Sequence, residues 1–537
     1  MARWCLALAI AAFSMVLLLL PEMIFLPNRW PANLLGKEYV FLFLCCLLLS
    51  CSGKGGFVAG FVTVIGCMAL SEIAHFIYFG RLLSPISVKL IFKEWAEIIH
   101  TGSASSYLIA VVLTVLFAYG TVIAILVRFK QYLPSFPKLS ALCLLAVLVS
   151  PFIQVSLRND ILFYASRNYY PVPIRALYTY AVATRSWFTD RQCPPALHQA
   201  PSFTVHEPQP RDIVVLMGES LSPNHMSVLG YHRNTTPWLN EQSINAHPNN
   251  KFKAGLAIAA GVATRSTFPL FFNAVNDPTD RDAVAGGATN LFQLARKNGF
   301  ASTLITAQSE ELMQGVDLSG VQIMELPKSD AISAKKKDVG LLDLLDQVPS
   351  AQRRFIVIQF RAPHSPYAEH TKQRPDLQRF TSALDTFRER EIADYDNALL
   401  LVDEVAKGVV QRVGDSVKPA YVLLTSDHAE LLDSEGRWGH SLLDLDVAQV
   451  PLILWAPKND RQFWSWAKRH PVPAHYDIAR EIAQLLGFNI RNSTETAARF
   501  VNGPASFGVD GYFRWTLVDG YPFVVERLSA TCVDSPR

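Results

Sequence analysis

The sequence predicts an N-terminal bundle of five membrane-spanning helices followed by a C-terminal α/β domain with a largely parallel central sheet. Three observations lead there. Charges are sparse from Trp4 to Leu157, whereas the chain after Arg158 reads as an ordinary soluble mixture. Beyond Arg211, short continuous apolar runs alternate with helix-like stretches, as strands buried on both faces do. Polar residues of metal-ligand type then follow several of those runs. At 537 residues the chain is too long for one ordinary domain. Its net charge of +3 comes with no basic stripe interleaved with aromatics, which argues against a nucleic-acid partner.

A helix needs about 20 apolar residues to cross the hydrocarbon core. Trp4 to Leu26 supplies the first such run, and Pro21-Glu22-Met23 continues straight into Ile24-Phe25-Leu26 with no small-x-small cleavage site, so it reads as a span and not a signal peptide. Tyr39 to Cys51 is short and must borrow flanking residues or tilt. Phe57–Phe79, Tyr107–Val127 and Leu139–Leu157 complete the five. Arg128, Lys130 and Lys138, without an acidic partner, lie between the last two spans and favour the cytoplasmic side. That orientation puts the N-terminus inside and everything after Leu157 outside. Ser84 to Thr101 reads as an amphipathic segment, either lying in the membrane interface or forming an ordinary extramembrane loop helix.

Residues 1–157 are thus a membrane domain, 158–210 an interfacial helix and linker, and 211–537 the third part. Within the linker, Ile174 to Phe188 is amphipathic and aromatic, and Pro194, Pro195, Pro201, Pro208 and Pro210 keep the chain irregular. Six of the eight cysteines lie in or beside the spans, where they pack as small soft side chains. Cys193 and Cys532 bracket the soluble region as candidates for one disulfide.

In the third part the strand runs are Ile213–Met217, Ala301–Thr306, Phe355–Phe360, Ala420–Thr425 and Val450–Trp455. Helical patterns cover Asn290–Lys297, Glu391–Val410 and Asp477–Leu486. In such sheets ligands collect beyond the carboxyl ends of the strands. The residues that follow the runs include Glu219, Gln308, His364 and the pair Asp427-His428, with His440 twelve residues further on. Two carboxylates and an imidazole suit zinc or manganese better than calcium. Singly each has a structural explanation, but four loops placing ligand types at one edge reverse that balance.

A nucleophile is expected from a hydroxyl at a helix start, where backbone N–H groups can hold phosphate. Gly261-Val-Ala-Thr264-Arg265-Ser266-Thr267-Phe-Pro269 opens such a helix. Spacing leaves Thr264, Ser266, Thr267 and Ser220 all open. Metal coordination would lower the pKa of the one that serves.

With these residues in view, the sequence resembles the membrane-anchored phosphoethanolamine transferases of the alkaline phosphatase/sulfatase superfamily, over nearly its whole length. Gly218-Glu219-Ser220, continuing to Thr235-Thr-Pro237, is similar to that family's first metal motif. Gly261 to Pro269 is similar to its nucleophile loop, Ser426-Asp427-His428 to its remaining zinc ligands, and Ala362-Pro363-His364-Ser365-Pro366-Tyr367 to its histidine loop. Supporting matches are Ala307-Gln308-Ser309, Tyr395-Asp396-Asn397 with Asp403, and Gln449-Val450-Pro451.

The resemblance implies an alkaline phosphatase/sulfatase-like fold and one or two zinc ions, or manganese, on Glu219, Thr264, Asp427 and His428. It selects Thr264 as the residue that becomes modified. His364 and His440 become phosphate binders, proton donors or ligands of a second ion, and Gln308 joins them in substrate binding. The donor would be phosphatidylethanolamine and the acceptor lipid A or an envelope glycan. The location would be the bacterial inner membrane, with the catalytic domain in the periplasm. The chain departs from the family in lacking its usual disulfides near this loop, in Leu221-Ser222, and in carrying Ala429 and Leu431 where Gly and Ser are preferred.

Other readings use the same residues. A phosphoglycerol transferase or a phosphodiester hydrolase needs the same metal site. A true sulfatase does not fit, because the loop lacks the Cys/Ser-x-Pro-x-Arg pattern. An inactive envelope scaffold would have no use for six matched polar groups.

Overall fold

The computed structural model describes residues 1–26, 36–79, 82–93, 106–157, 170–192, 201–245, 249–327, 337–382, 386–414, 418–434, 436–491, 498–508, 511–528 and 533–536. Cys193 and Cys532 lie outside the described residues, as does the amphipathic segment beyond Lys93. The chain forms two compact units, one built mainly from Met1–Asp190 and the other mainly from Arg191–Ser434 and Gly439–Val533.

The first unit contains α1 (Ala2–Phe25), α2 (Lys37–Ser50), α3 (Gly55–Phe79), α4 (Pro85–Lys93), α5 (Ser106–Phe129), α6 (Pro137–Leu157) and α7 (Val172–Phe188). Among the described residues, four helices are long and apolar enough to cross a membrane: Ala2–Phe25, Gly55–Phe79, Leu108–Tyr132 and Pro137–Val155. The chain is accordingly a multi-pass membrane protein. The remaining apolar run forms α2, whose 14 residues reach only about 21 Å at 1.5 Å per residue, short of a hydrocarbon core of about 30 Å.

Small residues let these helices approach closely. A Cβ on Gly66 of α3 would lie 2.9 Å from the Tyr119 ring of α5, and Ala7, Ala11, Ala69 and Ala118 are fully buried. Two acidic side chains are buried here too. Glu72 of α3 pairs with Arg175 of α7 at 3.2 Å, and Arg175 also donates to the Leu83 carbonyl at 3.1 Å. Glu22 of α1 accepts the Val172 N–H at 2.9 Å, satisfying a donor at the start of α7.

An unpaired charge in such a place costs far more than the pair contributes. Arg175→Met, which takes this partner from the buried Glu72 carboxylate, is expected to destabilise the unit by about 3 kcal/mol. Adding Glu72→Gln should restore most of the loss. Thermal unfolding of the detergent-solubilised full chain measures both.

The second unit is organised on a seven-stranded sheet: β1 (Arg211–Gly218), β2 (Asn250–Ile258), β3 (Ala301–Thr306), β4 (Gln322–Glu325), β5 (Arg353–Gln359), β6 (Ala420–Ser426) and β7 (Gln449–Pro457). Its order is β2-β7-β6-β1-β5-β3-β4. β6, β1, β5, β3 and β4 run parallel, while β7 is antiparallel to both its neighbours. The expected largely parallel sheet is what forms, and all five strand runs read from the sequence are in it.

Alternation sorts the strand residues onto two faces. Ile213, Val215 and Met217 of β1 pack with Phe355 and Val357 of β5 against α9 (Thr264–Phe272), α10 (Leu291–Lys297) and α12 (His475–Leu485). The opposite face, with Val214 and Leu216 equally buried, meets the long α11 (Phe387–Gly414). α8 (Pro237–Ile244) also packs on α11. A further antiparallel sheet comprises β8 (Arg499–Asn502), β9 (Tyr512–Val518) and β10 (Tyr521–Leu528).

Candidate metal centre

β1, β3, β5 and β6 are neighbours and point the same way, so the loops leaving them share one edge of the sheet. Glu219 follows the last residue of β1, and Asp427 the last residue of β6. Gln308 lies two residues past β3 and His364 five past β5. β2 runs parallel to these strands across β7, so the turn that leads into α9 and Thr264 arrives at the same edge.

There, Glu219, Asp427 and His428 each present a ligand atom, all within 4.8 Å of one another, and all three side chains are buried. Thr264 Oγ1 donates to Asp427 Oδ2 at 2.6 Å, sits 3.3 Å from Glu219 Oε2 and is 3.5 Å from His428 Nε2. The other hydroxyls are placed differently. Ser266 Oγ donates to the Ala263 carbonyl, Ser220 Oγ donates to Glu219 Oε1 alone of the three, and Thr267 Oγ1 is buried with no hydrogen-bond partner among the described residues.

Burial favours the neutral form of both carboxyls, but their surroundings divide them. Against that burial, the imidazoles of His364 and His428 and the Gln308 amide hold Glu219 well below the usual carboxylate range. Asp427 is pushed up by burial and by the Glu219 charge beside it. Two buried carboxylates converging with a buried imidazole form a donor set that could hold a metal ion, and mixed oxygen and nitrogen donors are those that zinc or manganese accepts.

Hydrogen bonds hold the ligands in place. Ser220 has φ +58°, a left-handed conformation rare for a side-chain-bearing residue, and its N–H donates to Asp427 Oδ1 at 3.1 Å. Tyr395 of α11 keeps that turn in shape: its hydroxyl donates to the Ser220 carbonyl and accepts from the Ser222 N–H, both at 2.7 Å. The His428 N–H also donates to Asp427 Oδ1. Next on α11, Asp396 accepts from His225, Tyr231 and Arg233. Asp403 accepts the Trp238 and Leu239 N–H groups at the start of α8. Tyr395→Phe strands two buried backbone groups and is expected to cost about 2 kcal/mol. Thermal unfolding read beside metal content checks it, with stability falling and metal retained.

The remaining residues read from the sequence gather beside these ligands. The Gln308 amide donates to Glu219 Oε2 at 3.0 Å and to the Phe360 carbonyl, so in this structure it engages one carboxylate of the candidate metal centre. The His440 ring stacks on His428 with centroids 4.4 Å apart, and the His364 ring lies 5.9 Å from His440. His364 Nδ1 is 2.6 Å from the Ser365 carbonyl, which places a proton on that nitrogen. Asp338 accepts the N–H groups of Arg361 and Ala362 and so fixes the loop that carries His364.

Sequence reasoning missed Glu430. Its carboxylate accepts from His440 Nδ1 at 2.8 Å and from the Tyr367 hydroxyl at 2.6 Å. Burial pushes the His440 imidazole down, against the pull of Glu430. With Nδ1–H committed to Glu430, the neutral ring keeps its lone pair on Nε2. The available signal was position, since Glu430 is the acid nearest His428 in the segment that runs on to His440.

A protein-family model described as Sulfatase matches residues 211–488. Among curated proteins, the Kdo(2)-lipid A phosphoethanolamine 7''-transferase of Escherichia coli K12 is 23% identical over 280 residues, 48% of this chain and 47% of that protein. The phosphoethanolamine transferase EptA of the same strain is 22% identical over 297 residues, covering 51% and 52%. The chain thus spans about half the length of the curated relatives it matches. Among solved structures, the integral membrane lipooligosaccharide phosphoethanolamine transferase A of Neisseria meningitidis aligns over 91% of this chain and 96% of its own, with a TM-score of 0.58 at 17% identity. That likeness extends through the membrane unit and concerns the fold.

Proposed function

Because the chain belongs to the sulfatase family, we propose that it is a membrane phosphotransferase that moves phosphoethanolamine from phosphatidylethanolamine to an envelope acceptor, lipid A or a glycan. The observation that carries this reading is the approach of Thr264 Oγ1 to Glu219, Asp427 and His428. The names of the relatives support the headgroup, and the membrane helices suit a lipid donor whose apolar product never enters water.

A zinc ion held by Glu219, Asp427 and His428 would lower the pKa of the Thr264 hydroxyl and offset the charge of the phosphoryl oxygens. Manganese is the alternative, and His364 and His440 are the side chains that would serve a second ion. The Thr264 proton leaves along its hydrogen bond to Asp427. Thr264 Oγ1 then forms a bond to phosphorus as the bond to the diacylglycerol oxygen breaks, and that oxygen takes a proton from His364 or His440, whichever is then in its imidazolium form. In the second half an acceptor hydroxyl loses its proton to Nε2 of His440, which Glu430 orients, and attacks the phosphothreonine. Thr264 is released. Gln308 keeps Glu219 aimed, and with His364 and His440 it borders the space the phosphoryl group would occupy.

In this reading residues 1–157 anchor the protein through five spans, with α2 as the short one. Residues 158–210 connect, and residues 211–537 catalyse in the periplasm from the inner membrane. The test is release of diacylglycerol by the purified full chain in nanodiscs of phosphatidylethanolamine or of phosphatidylglycerol. Release from the ethanolamine lipid is expected. Release from the glycerol lipid alone would replace this reading with phosphoglycerol transfer, and release without an acceptor-bound product would indicate a hydrolase.

A further inference from the structure

β9 and β10 form a hairpin whose two faces differ. Phe513 and Trp515 point inward and pack with Val501, Ile258 and Val262. The outward face carries Val518, Tyr521, Phe523 and Val525, exposed by 50%, 76%, 59% and 46%. Tyr521 pairs directly with Val518, and a bulge between the Arg514–Glu526 and Trp515–Val524 pairs leaves Val525 without a partner across the ladder. The face is not a frayed end. Asp519 and Gly520 both have positive φ, as a tight two-residue hairpin turn requires, and Arg527 donates to the Leu443 carbonyl at 2.7 Å.

The concentration of apolar surface is unusual for this unit. Among the described residues from 201 to 528, six large apolar side chains are exposed, and four of them lie on this face; the others, Val205 and Ile244, stand alone. The rest of the chain's exposed large apolar side chains, such as Phe117 and Leu142, are on or beside the apolar N-terminal helices. The hairpin face therefore has the composition of the chain's lipid-facing surface, with an aromatic pair of the kind that favours the headgroup boundary.

We infer that the outward face of the β9–β10 hairpin docks on the bilayer, inserting Tyr521 and Phe523 at the headgroup boundary. The inference rests on reading the N-terminal helices as spans, which tethers this unit to a membrane at high effective concentration. Docking there would restrain the unit at the surface that supplies a lipid substrate.

The test needs no turnover, so its outcome is independent of the proposed reaction. The photoreactive residue p-benzoylphenylalanine replaces Phe523, Tyr521, Ile244 or Leu142 in the full chain, reconstituted in nanodiscs of phosphatidylethanolamine and phosphatidylglycerol. After irradiation, intact mass spectrometry should find phospholipid adducts at 521, 523 and the lipid-facing control 142, and none at 244. Adducts at 142 with none at 521 or 523 would overturn the inference. So would adducts from those two positions to a second copy of the chain or to another part of the same chain.

Discussion

His428→Ala is expected to leave the purified full chain without its divalent metal and to slow headgroup transfer by on the order of a thousandfold or more. His428 is the sole nitrogen donor in the buried trio and is fully buried itself, so no water can take over its place without a cavity forming. The two carboxylates that remain would face each other across a space that has lost its imidazole, and Asp427 is already pushed toward its neutral form by Glu219. Asp427→Asn, nearly the same size, separates metal loss from a packing defect. Elemental analysis should find metal in the parent protein, with strong depletion in both variants. A His428→Ala protein that retained metal and activity would remove this histidine from the ligand set.

Thr264→Ala is expected to abolish transfer while leaving fold and metal content close to those of the parent. A missing nucleophile costs about a 10⁴-fold loss or more, because the remaining groups cannot form the covalent intermediate. Metal should remain because Glu219, Asp427 and His428 supply the ligands independently of the hydroxyl. Thr264→Ser is the informative companion: it keeps the oxygen that approaches all three ligands and should retain measurable activity. Diacylglycerol release over time separates the three proteins. Full turnover by the alanine variant would point to attack by water at the metal centre and so to a hydrolase.

The parallel core of the sheet was legible because its strands are buried on both faces and their sequences are continuously apolar, as in Ile213–Met217 and Ala420–Thr425. The meeting of Glu219, Asp427 and His428 was legible for the same reason, since they follow such runs directly and neighbouring parallel strands end at one edge of the sheet. β2 escaped notice because Lys251 and Lys253 interrupt it; it is an outer strand that pairs only with β7. β4, at the other margin, is only four residues long. Spacing left four hydroxyls open and only the family resemblance singled out Thr264; the fold brings that residue's Oγ1 to within 2.6 Å of Asp427 across 163 positions of sequence. Glu430 escaped for a related reason. Its work is to hold the side chains of His440 and Tyr367, and no local pattern separates such a residue from an ordinary buried acid. The short run at Tyr39 to Cys51 was recognised as marginal from its length, and the helix it forms has only 14 residues.

The most direct measurement is the intact mass of the full chain after incubation with phosphatidylethanolamine in the absence of an acceptor. The expected result is a gain of one phosphoethanolamine mass in the parent, mapped to the peptide holding Thr264, absent from Thr264→Ala and from metal-stripped protein. An adduct of the same mass in the alanine variant, or one mapped to Ser220, Ser266 or Thr267, would contradict the assignment of the nucleophile on which the mechanism rests.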